Sequence, residues 1–392
     1  MSPASRRQAT GAAGAAPAAE VPRSQVLAYR VAAQQLDRPG DVEVTDLAVL
    51  DLGLQDSPAG TAVQSIAART PDGTAGAGPD DLADGRRWVT AWAVRGAPHL
   101  LRTGDVRAMA LATWPADATD AAARLAGYGT GLRKRGDDAL DALRTAAEGM
   151  ARVVDGEMTK GEASTAVTKA LPDVCNEPCR GCGVVHISDQ LMRLAGLPGG
   201  VALVPGASPA TLRPLAGWAG VPDRQEGAGA LVDAYLRLHG PATPKEVAGH
   251  LQTTQGAVKA AWPDGLAEVS IDGARAWLPE DRLDALLDAP PPDLVRLLPR
   301  SDPWLMARDR ERLVPDTADR KAMWPVIGFP GAVLVDGEVA GTWRTKASGR
   351  RLAFTVAAFA PIPKRRRPAI EEEADRVARL RGAQEASVTY AT

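Results

Sequence analysis

The stretch GALVDAYLRLHGPATPKEVAGHLQTTQGAVKAAWPDGLAEVSIDGARAWLPEDRL, residues 229–283, spells out a small fold by itself. Leu231, Ala234, Tyr235 and Leu238 recur at helical spacing, and the run stops at Gly240. Thr243-Pro244-Lys245-Glu246 has the form of a capping box with proline at the first helical position, so a second helix runs through Val247 and Leu251. Thr254 can cap a third helix carrying Ala257, Val258 and Ala261, which Pro263 ends. AEVSI and ARAWL then flank Asp272-Gly273, a two-residue hairpin signal. Three short helices and a hairpin make a winged helix, a relative of the helix-turn-helix. The pattern speaks to fold; winged helices bind protein as well as DNA.

The same grammar recurs upstream. SQVLAYRVAAQQL, TDLAVLDL and SPAGTAVQSIAART read as three helices, the last with Ser57 as N-cap and Pro58 at the first position. After the linker TPDGTAGAGPDDLADG, RRWVTAWAV and APHLLR meet at Arg95-Gly96 as a wing. A looser middle copy holds helical DALDALRTAAEGMARVV, a capping box from Thr159 to Glu162 in TKGEASTAVTKAL, and helical HISDQLMRLAG. GGVALV and ATLRPL would form its wing. From about Leu294 short β-runs take over, LLPRSDPWL, GAVLVDGEVAGTWR and RLAFTVAAFAPI, with a turn at Asp336-Gly337. EEEADRVARLRGAQEA reads as an exposed closing helix with its acids in the first turn, where the helix dipole favours them. The expected fold class is α+β, with three tandem winged-helix motifs and a C-terminal β-rich element. The divisions are a disordered tail at 1–23, winged helices at 24–102, 103–225 and 226–292, the β-rich element at 293–370, and a helix or tail at 371–392.

Composition narrows the function classes. The 392 residues allow two or three cores at about 150 residues per domain. No apolar run approaches the ~18 residues of a membrane span, and the Ala/Gly/Pro-rich start has no apolar signal-peptide region. Three clustered cysteines argue for a reducing, cytoplasmic setting and against a disulfide framework. The net charge of −2 hides an uneven distribution. Between Gly341 and Arg367 there is no acid, while Arg344, Lys346, Arg350 and Arg351 precede the run Lys364–Arg367; Arg133, Lys134 and Arg135 form a second basic knot. Such blocks serve as solvated surface or as the footprint of a phosphate backbone.

Several strings, in order, resemble the winged-helix DNA-binding family of AlkZ- and YcaQ-like bacterial DNA glycosylases: RVAAQQL, LGLQDSPAG, WAVRGAPHLLRTGD, CRGCGVVHISDQLMRLAGLPGGVAL, LHGPATPKEVA, LLPRSDPWLMARDR and VLVDGEVAGTWR. They span about Gln25 to Ile362. The resemblance implies three winged helices in a C-shape and a monofunctional glycosylase that releases bulky or crosslinking alkyl adducts from N7 of guanine. It further implies a role in self-resistance to a genotoxic natural product. The implied partner is double-stranded DNA carrying alkylpurine lesions, met by a cytoplasmic monomer without cofactor. The family's catalytic motif is polar, aliphatic, polar. On VLDLGLQDSPAG, residues 49–60, Gln55 takes the second polar place and Leu54 the aliphatic one, while the first polar place falls on Gly53.

The chemistry asks little of the protein. An N7-alkylated guanine is already cationic and leaves readily, through an oxocarbenium-like transition state that needs a positioned water and nearby negative charge. Gln55 is the candidate to orient that water and Asp56 to accept its proton or stabilise the sugar cation. Asp56 or Ser57 as a mere helix cap is the structural alternative. Arg95 and His99 on the first wing join the basic residues named above as candidate DNA contacts. Trp88, Trp92 and Trp343 are available for base stacking or for the core. Cys175, Cys179, Cys182 and His186 have metal-like spacing within twelve residues, tight for a four-ligand site, and no metal is expected. The competing reading is a non-catalytic winged-helix DNA-binding protein, a regulator or damage-shielding factor, with Gly53 marking lost catalysis.

Overall fold

The computed structural model describes residues 17–40, 42–71, 78, 81–82, 85–179 and 181–391. Residues 1–16 of the expected tail, and most of the expected linker from Thr70 to Gly85, lie outside them. Residues 228–279 form helices Ala228–His239, Pro244–Leu251 and Gln255–Ala260, then antiparallel strands Leu266–Ile271 and Ala274–Pro279. Both arms of the Thr243/Glu246 capping box are made, Thr254 accepts from the Ala257 N–H, and Asp272 and Gly273 take positive φ in a two-residue turn. A parallel strand that the sequence reading missed, Ala19–Val21, adds to this hairpin beside Val269–Ile271. Residues 19–21 of the expected tail are therefore a strand, because Val21 buries with Val26 and Tyr29 in the core behind that sheet.

The first copy departs from its expected form. Its opening helix, Arg23–Ala33, is present. TDLAVLDL is instead two 3-10 turns, Val44–Asp46 and Ala48–Leu52, broken at extended Leu47. Gln35 Oε1 takes the Ala48 N–H at 2.8 Å, an amide that a continuous α-helix would give to its own carbonyl. The next helix is short, Thr61–Ala67, and starts from left-handed Gly60 rather than from a Ser57 cap. The hairpins expected as separate wings share one six-stranded sheet. Its order is Leu54–Gln55, Pro98–Arg102, Trp88–Trp92, Val201–Leu203, Thr211–Pro214 and Met158–Thr159. Register Thr90↔Leu203 crosses the boundary expected at residue 102. In the middle region helices Ala139–Val153, Lys160–Ala170 and Asp189–Gly196 form, with the Thr159/Glu162 capping box intact.

At the C-terminal end Val295–Leu298, Gly331–Val335, Glu338–Ser348 and Arg351–Ala358 are antiparallel neighbours. Two expectations change here. In LLPRSDPWL the strand stops at Leu298, and Asp302 caps a helical turn Pro303–Met306 by accepting from the Trp304 N–H. The closing helix runs Arg367–Leu380, so its first turn holds no acid, Pro368 having started it earlier. It is not exposed all round: Ile370, Ala374, Val377 and Ala378 bury against the sheet, and Glu373 pairs with Arg38 at 2.6 Å. Strand Glu385–Tyr390 then joins in parallel beside Arg351–Val356. Among the described residues no helix is long and apolar enough to cross a membrane.

Two buried ion pairs tie this C-terminal segment to the first helices. Arg69 and Asp302 are both fully buried and bond twice, at 2.8 and 2.9 Å. Arg30 meets Asp309 at 2.7 Å. The acids of LLPRSDPWLMARDR thus hold the segment in place, while its arginines turn elsewhere.

Candidate active site

The two-residue strand Leu54–Gln55 carries the expected motif. It pairs antiparallel with the first wing, Leu54 opposite Leu100 and Gln55 opposite His99, and the Asp56 N–H continues the ladder to Pro98 O at 2.8 Å. Successive residues in extended chain face opposite sides. Gln55 and Ser57 accordingly line one cavity of about 360 Å³, and Asp56 lines another of about 720 Å³. The structure does not bring the two expected catalytic residues together. Asp56 Oδ1 accepts from the Ala62 N–H at 3.0 Å and serves helix Thr61–Ala67. Burial nevertheless pushes its carboxyl above the usual range, against the hydrogen bonds from Ala62, Gly60 and Thr61.

Gly53 explains the half-missing motif. Its φ of 72° and ψ of 148° belong to glycine, and a Cβ there would lie 2.7 Å from Leu101 Cδ2. A polar side chain in the first motif place would strain the backbone and push the Leu101 side chain aside.

The Gln55 cavity is walled by Arg95, Arg300, Arg308 and Arg310, with no carboxylate among its described lining residues. Arg95 Nη2 donates to Gln55 Oε1 at 2.8 Å, and its Nη1 donates to the His250 carbonyl at 2.6 Å. Burial, then the charge of Arg308, lowers the Arg95 pKa to about 10. Arg308 is lowered too by burial, and its Nε is buried without a hydrogen-bond partner among the described residues. Arg310 lies over the Trp324 ring, 4.8 Å from its centroid. Arg300 Nε donates to Ser57 O at 3.2 Å. At the rim, Val326 and Ile327 are 98% and 87% exposed, beside half-exposed Phe329. The four guanidinium groups are partly buried and, among the described residues, none has an ion pair, an arrangement suited to an anion.

Other candidates sort by place. His99 is buried beneath Gln55; its Nδ1 donates to Ala97 O at 2.8 Å, and burial followed by Arg95 drops its pKa to about 3. It is a neutral support. Arg344 borders the cavity by donating from Nη2 to Gly328 O at 2.6 Å. Lys346, Arg350 and Arg351 are exposed farther along the same hairpin, Arg351 paired with Glu385 at 2.7 Å. Arg133, Lys134 and Arg135 end helix Ala126–Arg135, where cations suit the helix dipole, and none lines the cavity. Trp88, Trp92 and Trp343 are buried in cores. Of the cysteines, Cys175 is buried away from the others, its Sγ 3.8 Å from Ala142 O, and burial raises its pKa to about 11. Cys179, Cys182 and His186 do converge.

Arg300, Arg308, Arg310, Ser57 and Trp324 were not anticipated as site residues. Three of them lie in LLPRSDPWLMARDR, whose acids are buried in ion pairs with Arg69 and Arg30 while these arginines line the cavity.

A family model described as DNA glycosylase AlkZ-like matches residues 44–380. A Streptomyces sahachiroi protein named interstrand DNA cross-link repair glycosylase is 30% identical over 180 residues, taking in 43% of this chain and 46% of the relative, so the alignment spans about half of that protein's length. The solved structure of Streptomyces sahachiroi DNA glycosylase AlkZ superposes with a TM-score of 0.74 at 22% identity, covering 95% of this chain and all of that one, a likeness of fold. With the family model extending over most of its length, the chain belongs to the AlkZ-like DNA glycosylase family.

Proposed function

We propose that the protein is a monofunctional DNA glycosylase that hydrolyses the N-glycosidic bond of bulky or crosslinked N7-alkylguanine in double-stranded DNA. On this reading it acts as a cytoplasmic monomer in self-resistance to a genotoxic natural product. The observation that carries the reading is the arginine-walled cavity beside Gln55, set in an AlkZ-like fold. Arg95 occupies one lone pair of Gln55 Oε1, leaving the other lone pair and the amide N–H groups to hold a water. Ser57, on the same face, offers a hydroxyl as a second polar contact, so Gln55-Asp56-Ser57 restores a polar-x-polar spacing two residues beyond Gly53.

Four guanidinium groups oppose an oxocarbenium until DNA phosphates neutralise them. Binding and chemistry are thereby coupled, and the flanking phosphates supply the negative charge that the cavity lacks. Exposed Val326 and Ile327 at the rim suit an apolar wedge against a distorted base step.

The test is an oligonucleotide bearing an N7-alkylguanine or crosslink, incubated with protein and cleaved with alkali at the abasic site. Gln55→Ala is expected to slow release about 10²–10³-fold, the loss typical of one positioned polar group. Asp56→Asn is expected to retain most of the rate, since an asparagine Oδ1 still accepts from the Ala62 N–H, whereas Asp56→Ala loses that bond and about 0.5–2 kcal/mol of stability. A folded Asp56→Asn variant without activity would move the chemistry to the other cavity. Tight binding with no abasic product from the natural chain would sink the enzyme reading. It would favour the DNA-shielding alternative, for which the backbone commitment at Gly53 is the specific observation.

DNA affinity gives a second expected outcome. Arg300→Gln and Arg308→Gln should each weaken binding and flatten the log K against log salt slope by about 1, one phosphate contact apiece. Arg350→Glu with Arg351→Glu should flatten it further, and changes at Arg133, Lys134 and Arg135 report whether the phosphate track extends past the cavity. An unchanged slope in Arg308→Gln removes the cavity from the interface.

A further inference from the structure

We infer that the hairpin Asn176–Ile187 holds a zinc ion on Cys179 Sγ, Cys182 Sγ and His186 Nε2, with the fourth position open to water. The strands Asn176–Pro178 and Val185–Ile187 pair antiparallel and bring the ends of the turn together. The Cys179 N–H donates to Val184 O at 2.9 Å and the Gly183 N–H to Cys179 O at 2.9 Å, with Gly183 at φ 74°. The three ligand atoms lie within 4.8 Å of one another. A tetrahedral ion with Zn–S near 2.3 Å needs edges of about 3.5–3.8 Å, a closure that side-chain rotation supplies.

A further observation points to a metal. His186 Nδ1 lies 2.6 Å from Ile187 O; because a carbonyl only accepts, Nδ1 carries the proton and Nε2 keeps its lone pair toward the cysteines. Metal-ligating histidines are held in this way by a backbone carbonyl. Two thiolates and an imidazole favour zinc over magnesium or calcium. Cys175 takes no part, being packed in the core beneath with Ile187. The ion would clip a hairpin whose tip otherwise exposes Val184 and Val185, 57% and 60% open to solvent, to its anchored base.

The test is metal analysis of the full chain, purified with a reductant and without chelator, together with titration of the apoprotein by Co²⁺. About one zinc per chain is expected in the natural protein and in Cys175→Ala. Cys182→Ser and His186→Gln should lose at least about tenfold in zinc affinity, with circular dichroism showing them folded. Cobalt should give thiolate charge-transfer and intense tetrahedral ligand-field bands that vanish in Cys179→Ser. Absence of zinc and of cobalt bands in the reduced chain would overturn the assignment, as would a Cys179–Cys182 disulfide that opens on reduction without metal uptake. Equal loss of metal from Cys175→Ala, with the hairpin intact, would overturn the choice of ligands.

Discussion

Asp302→Ala is expected to cost about 3–5 kcal/mol, the range for a buried charge stripped of its partner. Arg69 and Asp302 are both wholly buried, and the guanidinium binds the carboxylate through both nitrogens at 2.8 and 2.9 Å. Arg69 also donates to Gln34 O at 2.9 Å and Ser65 O at 2.8 Å, so it cannot swing out to water when Asp302 is lost. The same carboxylate accepts from Trp304 N–H at 2.9 Å, which adds the loss of a helix cap. Denaturant midpoints measure the effect. Removing both charges, Arg69→Met with Asp302→Leu, should restore most of the stability, because an apolar pair has no desolvation penalty to offset. A single-variant loss below about 1 kcal/mol would show that water reaches the pair. The functional stake is position: Asp302 lies between Arg300 and Arg308, and loosening it should lower DNA affinity without touching a DNA contact.

Acid should unfold the protein steeply from near neutrality. His99, His239 and His250 are all buried, and burial is the leading cause of their low pKa values, about 3 for His99 and His239 and well below the usual value for His250. Arg95 adds to the depression at His99 and His250, and Arg30 to that at His239. The sign follows from linkage. Below about pH 6.5 the unfolded chain takes up protons that the folded chain refuses, so stability is complete above that pH and falls as pH drops toward 3. Each histidine contributes up to about 1.4 kcal/mol per pH unit, about 4 kcal/mol per unit for the three. Chemical denaturation at stepped pH measures the slope, and His239→Asn should reduce it by about a third. Stability that is flat between pH 6.5 and 5 would refute the buried neutral state. DNA phosphates, by neutralising Arg95 and Arg308, should ease protonation of His250 and shift the acid transition of the complex.

Local signals determined much of this protein from the sequence alone. The capping boxes at Thr159 and Thr243, the Asp272-Gly273 and Asp336-Gly337 turns and the third-unit helices are written in contiguous residues, because caps and turns are satisfied within a few positions. The order of the family strings likewise carried the family. Contacts between distant segments decided the rest. Whether TDLAVLDL is one helix depended on Gln35, and whether residue 20 is tail or strand depended on an edge at Val269 nearly 250 residues away. The facing of Gln55 against Asp56 followed from strand pairing with the first wing, since a period of two assigns neighbours to opposite sides only once the chain is known to be extended. The cationic cavity was the least visible feature. Which charges in LLPRSDPWLMARDR are buried in pairs and which are left over is set by Arg30 and Arg69, far along the chain, and a buried carboxylate takes the guanidinium that the fold brings to it.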